Sequence, residues 1–139
     1  MPTPHEITID RDAGFARVRV RGVLDLPSHL AGMQALLRHP AFHRDLPVLH
    51  DLREADFSQL RVDEMERWYN ANRSAAGDRG NASVAVVVPD GRAHALLEMY
   101  RRLGASGNLT IEVFSDLAPA EEWIQACGAQ FRALHPPAA

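Results

Sequence analysis

Residues 82–89 read ASVAVVVP, an apolar run in which polar and apolar side chains do not alternate. A strand with this pattern is typical of a sheet that helices cover on both faces, because neither side of the strand is left for water. A polar turn, Pro89-Asp90-Gly91, follows the run. The stretch therefore predicts a buried central strand in an α/β fold.

The chain before this strand begins with a predicted β-hairpin. Residues 5–22 carry a period-two pattern on both sides of a glycine-containing turn. The register that fits the pattern places Ile7 opposite Val18 and Glu6 opposite Arg19. One face of the hairpin is then apolar, and the other carries opposite charges side by side.

The rest of the chain alternates between strand and helix patterns. Residues 47–52 and 109–115 have strand length, and apolar residues at helical spacing predict helices over about 27–39, 62–76, 92–103 and 116–127. Glycines are expected to end the last three helices, with Gly128 closing the last one. The order ββαβαβαβα predicts a mixed, mostly parallel five-stranded sheet with about four helices and right-handed crossovers.

Composition limits the classes of function. The chain has 139 residues and shows no linker or repeat, so residues 1–139 are expected to form one domain. The net charge of −3 argues against nucleic acid as the main partner. A single cysteine, Cys127, allows no internal disulfide and is expected to be a buried, inert thiol in a reducing cytoplasm. No apolar run approaches the ~20 residues that cross a bilayer, so no membrane insertion is expected.

Four segments, taken in order, resemble a known family. They are Gly22-Val23-Leu24, HPAF at 39–42, VLHDLREADF at 48–57 and VFSDLAPAEEWI at 113–124. The order of elements resembles the STAS domain of bacterial anti-sigma-factor antagonists, and the chain is more closely similar to the SpoIIAA-like (STAS/CRAL-TRIO-related) family of small bacterial proteins. The resemblance covers nearly the whole chain. It implies a STAS-like fold and a binding or regulatory module, and its CRAL-TRIO side implies lipophilic ligands.

The resemblance does not extend to the phosphorylation switch of the antagonists. In those proteins a loop of the kind Phe-x-Asp-Ser-Ser-Gly carries the serine that the partner kinase phosphorylates. Aligning Phe57 with that phenylalanine puts Gln59, Leu60 and Arg61 where the Asp-Ser-Ser would lie. Ser58 is a hydroxyl residue nearby, but it falls too early. The interpretation is a strand end and helix entry without the switch.

Polar residues at two strand ends mark the candidate ligand site. Ligands of open α/β sheets bind beyond the carboxyl ends of the strands, where Asp51, Arg53 and Asp90 are expected. Trp68 and Tyr69 come from the following helix and can supply an apolar wall. In the structural alternative, Asp51 forms a loop or pairs with Arg53, and both aromatic residues belong to the core.

The sequence predicts no catalytic or metal site. His39, His43, His50 and Asp51 are suitable zinc ligands, but Pro40 separates the first two histidines, so they do not share one helical face. There is no Gly-x-Ser-x-Gly elbow and no glycine-rich phosphate loop. We therefore expect neither a metal nor a cofactor.

Two classes of function remain. The first is a non-enzymatic binding or regulatory module of the SpoIIAA-like type, which contacts a protein partner or a small apolar ligand. The alternative is a small enzyme that uses polar groups at the strand ends, foremost Asp51 and Arg53. An exposed strand edge or the amphipathic second helix could also pair two chains as a symmetric homodimer.

Overall fold

The computed structural model describes residues 5–89, 91–102 and 109–136. Along the chain the elements are β1 (His5–Asp10), β2 (Phe15–Val23), α1 (Leu26–Leu37), β3 (Val48–Asp56), a short 3₁₀ helix (Val62–Glu64), α2 (Met65–Arg79), β4 (Ser83–Val87), α3 (Arg92–Arg102), β5 (Thr110–Phe114) and α4 (Leu117–Leu134). The predicted order of strands and helices is confirmed.

Within the described residues the strands form one sheet in the order β1-β2-β3-β4-β5. The pair β1–β2 is antiparallel and the other neighbouring pairs are parallel, as the sequence predicts. The predicted hairpin register is confirmed, since Ile7 lies opposite Val18 and Glu6 opposite Arg19. No helix in the described part of the chain is both long and apolar enough to cross a bilayer.

Helices cover both faces of the sheet, but unequally. Even-numbered residues of β4, such as Val84, face the side that carries α1, α2 and α3, while Ala85 and Val87 face α4. These three residues are at most 3% exposed. The unalternating run therefore forms the doubly covered strand that its pattern indicates.

The start of α1 follows from its sequence. The side chain of Asp25 accepts a hydrogen bond from the backbone N–H of Ser28 at 2.9 Å, and the hydroxyl of Ser28 accepts one from the N–H of Asp25 at 3.2 Å. This capping box satisfies two N–H groups that a helix leaves without partners, and Pro27 lies in the first turn, where a missing N–H has no cost.

The predicted end of the last helix is wrong. Gly128 does not close α4, which continues to Leu134. The glycine is there because the hairpin turn lies against the helix: a Cβ at Gly128 would overlap the backbone carbonyl oxygen of Ala13, and one at Gly14 would overlap that of Gly128. Close approach of two backbones, rather than helix termination, explains this residue.

Gly128→Ala is expected to lower the free energy of unfolding by about 1–3 kcal/mol, because the new methyl group has to displace the hairpin turn. Urea unfolding followed by circular dichroism measures the change. Gly77→Ala is the matched control, since Gly77 is inside α2 and has open space around it. That control should gain about 0.5–1 kcal/mol from helix propensity. Equal stability of Gly128→Ala and the wild type would contradict the close contact.

Candidate ligand-binding site

A cavity lies between the sheet and the helices α1, α2 and α3. About 110 Å³ of it is open to the centre of a water-sized molecule, whereas a single water needs about 10–15 Å³ on that measure. Most of its wall is apolar and comes from the sheet, α1, α3 and the connecting segments: Val18, Val20, Leu24, Met33, Leu36, Leu52, Leu60, Val84, Val86, Leu97, Leu109, Ile111 and Val113. An apolar space of this size suits an organic molecule better than water.

One part of the wall carries a buried positive charge. Arg79, the last residue of α2, is 6% exposed and lines the cavity. Its Nε and Nη2 atoms are buried and have no hydrogen-bond partner. Burial lowers the pKa of Arg79 to about 10, so the guanidinium is still charged at neutral pH. Among the described residues, none that lines the cavity is acidic.

The turn after α2 fixes the position of Arg79. The backbone N–H of Asp45 donates to the carbonyl oxygen of Arg79 at 2.8 Å, and the N–H of Asn81 donates to Oδ1 of Asp45 at 2.8 Å. Gly80, between them, has a φ of 73°, a conformation that favours glycine. The guanidinium is therefore anchored at a rigid helix end, where the helix dipole offsets a small part of its charge.

Three side chains form a hydrogen-bonded chain beside this charge. Nε2 of His29 donates to Oδ1 of Asn72 at 2.6 Å, and Nδ2 of Asn72 donates to the hydroxyl oxygen of Tyr100. Burial lowers the pKa of His29 to about 4, so its ring is neutral at physiological pH. Burial also raises the pKa of Tyr100, which keeps its hydroxyl proton. These three hydrogen-bonded side chains add polar groups to the cavity without adding charge.

Two more histidines line the cavity. His50 lies on β3, and its pKa is held well below the ordinary value by burial and then by the positive charge of Arg79. His5 is on β1, and burial lowers its pKa as well. Gly32 of α1 makes room for it, because a Cβ there would collide with the His5 ring. Together with His29, these two residues add three imidazole rings to the wall, and burial lowers the pKa of each. The positive charge of the wall at pH 7 is therefore that of Arg79.

Of the two predicted aromatic wall residues, Trp68 lines the cavity and Tyr69 does not. Trp68 is 7% exposed, and its ring packs against the His29 ring with 4.6 Å between centroids. Tyr69 is half-buried against the same core, with the Arg73 guanidinium over its ring. Leu60, which the family resemblance aligns with the phosphorylatable serine, is 1% exposed and also lines the cavity.

The polar residues predicted with them lie elsewhere. Successive strand residues point to opposite faces, so Asp51 faces away from its neighbour His50 and from the cavity. Nε and Nη2 of Arg53 donate to the two carboxylate oxygens of Asp51, each at 2.9 Å. These hydrogen bonds, chiefly, hold the pKa of Asp51 below its usual value. Asp90, the remaining predicted site residue, lies outside the described residues.

Comparison with solved structures finds a similar architecture in an uncharacterized protein of the DUF3478 family with a SpoIIAA-like fold from Shewanella loihica PV-4. The TM-score is 0.56 at 13% sequence identity, and the match covers 86% of this chain and 91% of that chain. This chain has a SpoIIAA-like fold. The expected fold is thus confirmed. No protein-family model matches the chain, and no curated protein matches it.

Sequence reasoning missed the polar residues of the cavity wall, foremost Arg79 and His29, in this chain with a SpoIIAA-like fold. Asn72 was visible as the polar residue on the apolar face of its helix. Arg79 and His29 gave no such signal, because one precedes a glycine at a helix end and the other follows Ser28 in the first turn of its helix. Their burial depends on how three helices meet over the sheet.

Proposed function

We propose that this protein is a non-enzymatic binding module that holds a small, mostly apolar ligand in the cavity between the sheet and α1–α3. The observation that carries the proposal is the cavity itself, because native interiors are close-packed and leave few spaces larger than a water molecule. An apolar space of about 110 Å³ in the middle of the main core is a loss of packing that a bound ligand would restore.

The polar groups of the described residues fit binding better than catalysis. Asp51 and Arg53, on which the enzymatic alternative rests, pair with each other on the far side of the sheet. Within the cavity, His29 is neutral and its Nε2–H is occupied by Asn72. The remaining polar groups, on His5, His50, Arg79 and Tyr100, surround an apolar space, an arrangement typical of a site that orients a ligand.

Met33→Trp is expected to abolish binding of an apolar probe, because the larger side chain fills space beside the α1 wall of the cavity. The probe is N-phenyl-1-naphthylamine, whose fluorescence rises in apolar surroundings and can be excited outside the tryptophan band. We expect at least a tenfold loss of affinity relative to the wild type, about 1.4 kcal/mol of binding free energy.

Met99→Trp is the matched control, since Met99 is 40% exposed on α3 and does not line the cavity. It should bind the probe as the wild type does. Equal loss in both variants, or none in Met33→Trp, would rule out this cavity as the binding site. A wild-type protein that does not bind the probe would contradict the binding function.

A further inference from the structure

We propose that the ligand of the cavity is an apolar carboxylic acid whose carboxylate pairs with Arg79. The inference rests on the proposed binding function and adds the chemical class of the ligand. It starts from an imbalance in the protein: Arg79 is 6% exposed and lines an apolar space, and two nitrogens of its guanidinium have no partner. A buried charge is costly unless a counter-charge and hydrogen bonds accompany it.

The two unpartnered nitrogens of Arg79 define the geometry of the missing partner. Nε and Nη2 lie on the same edge of a guanidinium, and their N–H bonds form a fork that matches the two oxygens of a carboxylate. The same protein shows this pairing elsewhere, because Arg53 uses its Nε and Nη2 to hold both oxygens of Asp51. In Arg79 the two nitrogens of the same edge are buried and have no hydrogen-bond partner.

The charge of the site points to a monoanion. In the part of the chain that the structure describes, the lining residues include one guanidinium and no acidic side chain. His29 is neutral at pH 7 because burial lowers its pKa to about 4. A carboxylate balances the single positive charge. A phosphate monoester carries nearly two negative charges at this pH and would leave one of them unpaired in an apolar space.

Tyr100 supplies a further donor in the same wall. Its hydroxyl oxygen accepts from Asn72, so the hydroxyl proton remains to be donated, and burial keeps the phenol protonated. The sheet side of the wall carries Val18, Val86 and Ile111, with His50 between the first two, and its apolar residues suit a hydrocarbon chain or ring. The ligand class that satisfies both parts is a fatty or aromatic acid.

The test compares octanoate with 1-octanol, which share a chain length and differ in the charged head group. Isothermal titration calorimetry at pH 7.5 measures both affinities for the wild type, Arg79→Met and Arg67→Met. The wild type should bind octanoate about ten- to hundredfold more tightly than octanol, the range of a charge-assisted hydrogen bond. Arg79→Met should lose this preference and still bind octanol, which shows that the cavity is intact.

Arg67→Met is the matched control because Arg67 is exposed on the same helix, and it should keep the wild-type preference. Arg79→Gln repeats the test with a polar side chain if the methionine variant does not fold. Equal affinities for the two probes in the wild type, or a preference that survives both Arg79 variants, would overturn the inference and leave the proposed function standing. Binding of neither probe to the wild type would overturn both.

Discussion

Arg79→Met is expected to stabilise the ligand-free protein, raising its free energy of unfolding by about 1–4 kcal/mol. The reason is the desolvation of the guanidinium, whose Nε and Nη2 atoms have neither a protein partner nor contact with bulk water. A methionine side chain has similar reach, is a good helix former and fits an apolar wall. The favourable interaction of a cation with the end of α2 is lost, but it contributes only about 0.3–1 kcal/mol.

Urea unfolding of protein stripped of small molecules by reversible denaturation measures this effect. Arg67→Met controls for the general change in net charge and should leave the unfolding midpoint near the wild-type value, since Arg67 is exposed. A midpoint that falls in Arg79→Met would mean that the guanidinium is well solvated in the ligand-free protein. Saturating octanoate should stabilise the wild type more than Arg79→Met by about 1.4–2.7 kcal/mol, the equivalent of a ten- to hundredfold preference, because only the wild type gains the ion pair.

An opposite effect of one substitution on stability and on binding would separate a functional charge from a structural one. Most substitutions at a buried position destabilise, since native side chains are packed in mutually supportive contacts. A residue whose removal stabilises the empty protein is retained for some other reason, and functional sites are where such conflicts concentrate. Among the described cavity residues, Arg79 has the strongest conflict of this kind because it stays charged at neutral pH.

The fold could be predicted from the sequence because its signals are local. Period-two alternation in β1 and β2, the uninterrupted apolar run of β4 and the helical spacing between strands depend only on which face each residue presents. Gly128 is the exception. Its role depends on the approach of Ala13 from a distant turn, and a glycine inside a helix gives the same local signal as one at its end.

The candidate site was predicted only in part, for a physical reason. Ligands of open sheets bind beyond strand ends, and the polar residues that the sequence places there are Asp51 and Arg53. The cavity lies over the middle of the sheet instead, with His50 rather than Asp51 facing it. Adjacent residues of a strand point to opposite faces. Choosing the wrong one of two neighbours therefore places a predicted site on the wrong face of the sheet.

The protein is expected to lose stability as the pH falls from about 6.5 to 4, because two neutral histidines are buried around a cation. The pKa of His29 is about 4 in the folded protein against 6.5 for a free side chain, so the unfolded chain binds a proton that the folded one excludes. Stability is therefore full above pH 6.5 and is lost on acidification. The His29 contribution is up to about 3 kcal/mol, and His50 acts in the same direction.

Carboxylates affect the stability in a separate, lower pH range. Arg53 lowers the pKa of Asp51, so the stability from that pair is lost only below the ordinary carboxyl value of 3.8. The charge of Arg79 lowers the pKa of His50 further, and so do His29 and His5 when they are protonated, while Asn72 accepts a hydrogen bond from the ring of His29. Protonating either histidine therefore places a second positive charge near that of Arg79.

Urea midpoints between pH 7.5 and 4.5 measure the loss, and His29→Gln isolates the contribution of His29, because a glutamine amide can still donate to Asn72. The variant should show a shallower fall in stability between pH 6.5 and 4.5, with the remaining slope due to His50. His94→Gln, on α3 and outside the cavity wall, should keep the wild-type slope. If His29→Gln and the wild type lose stability in parallel over this range, His29 is not held neutral by burial. Water would then reach the part of the cavity wall that carries His29 and Arg79. The burial of Arg79 would no longer argue for an anionic ligand.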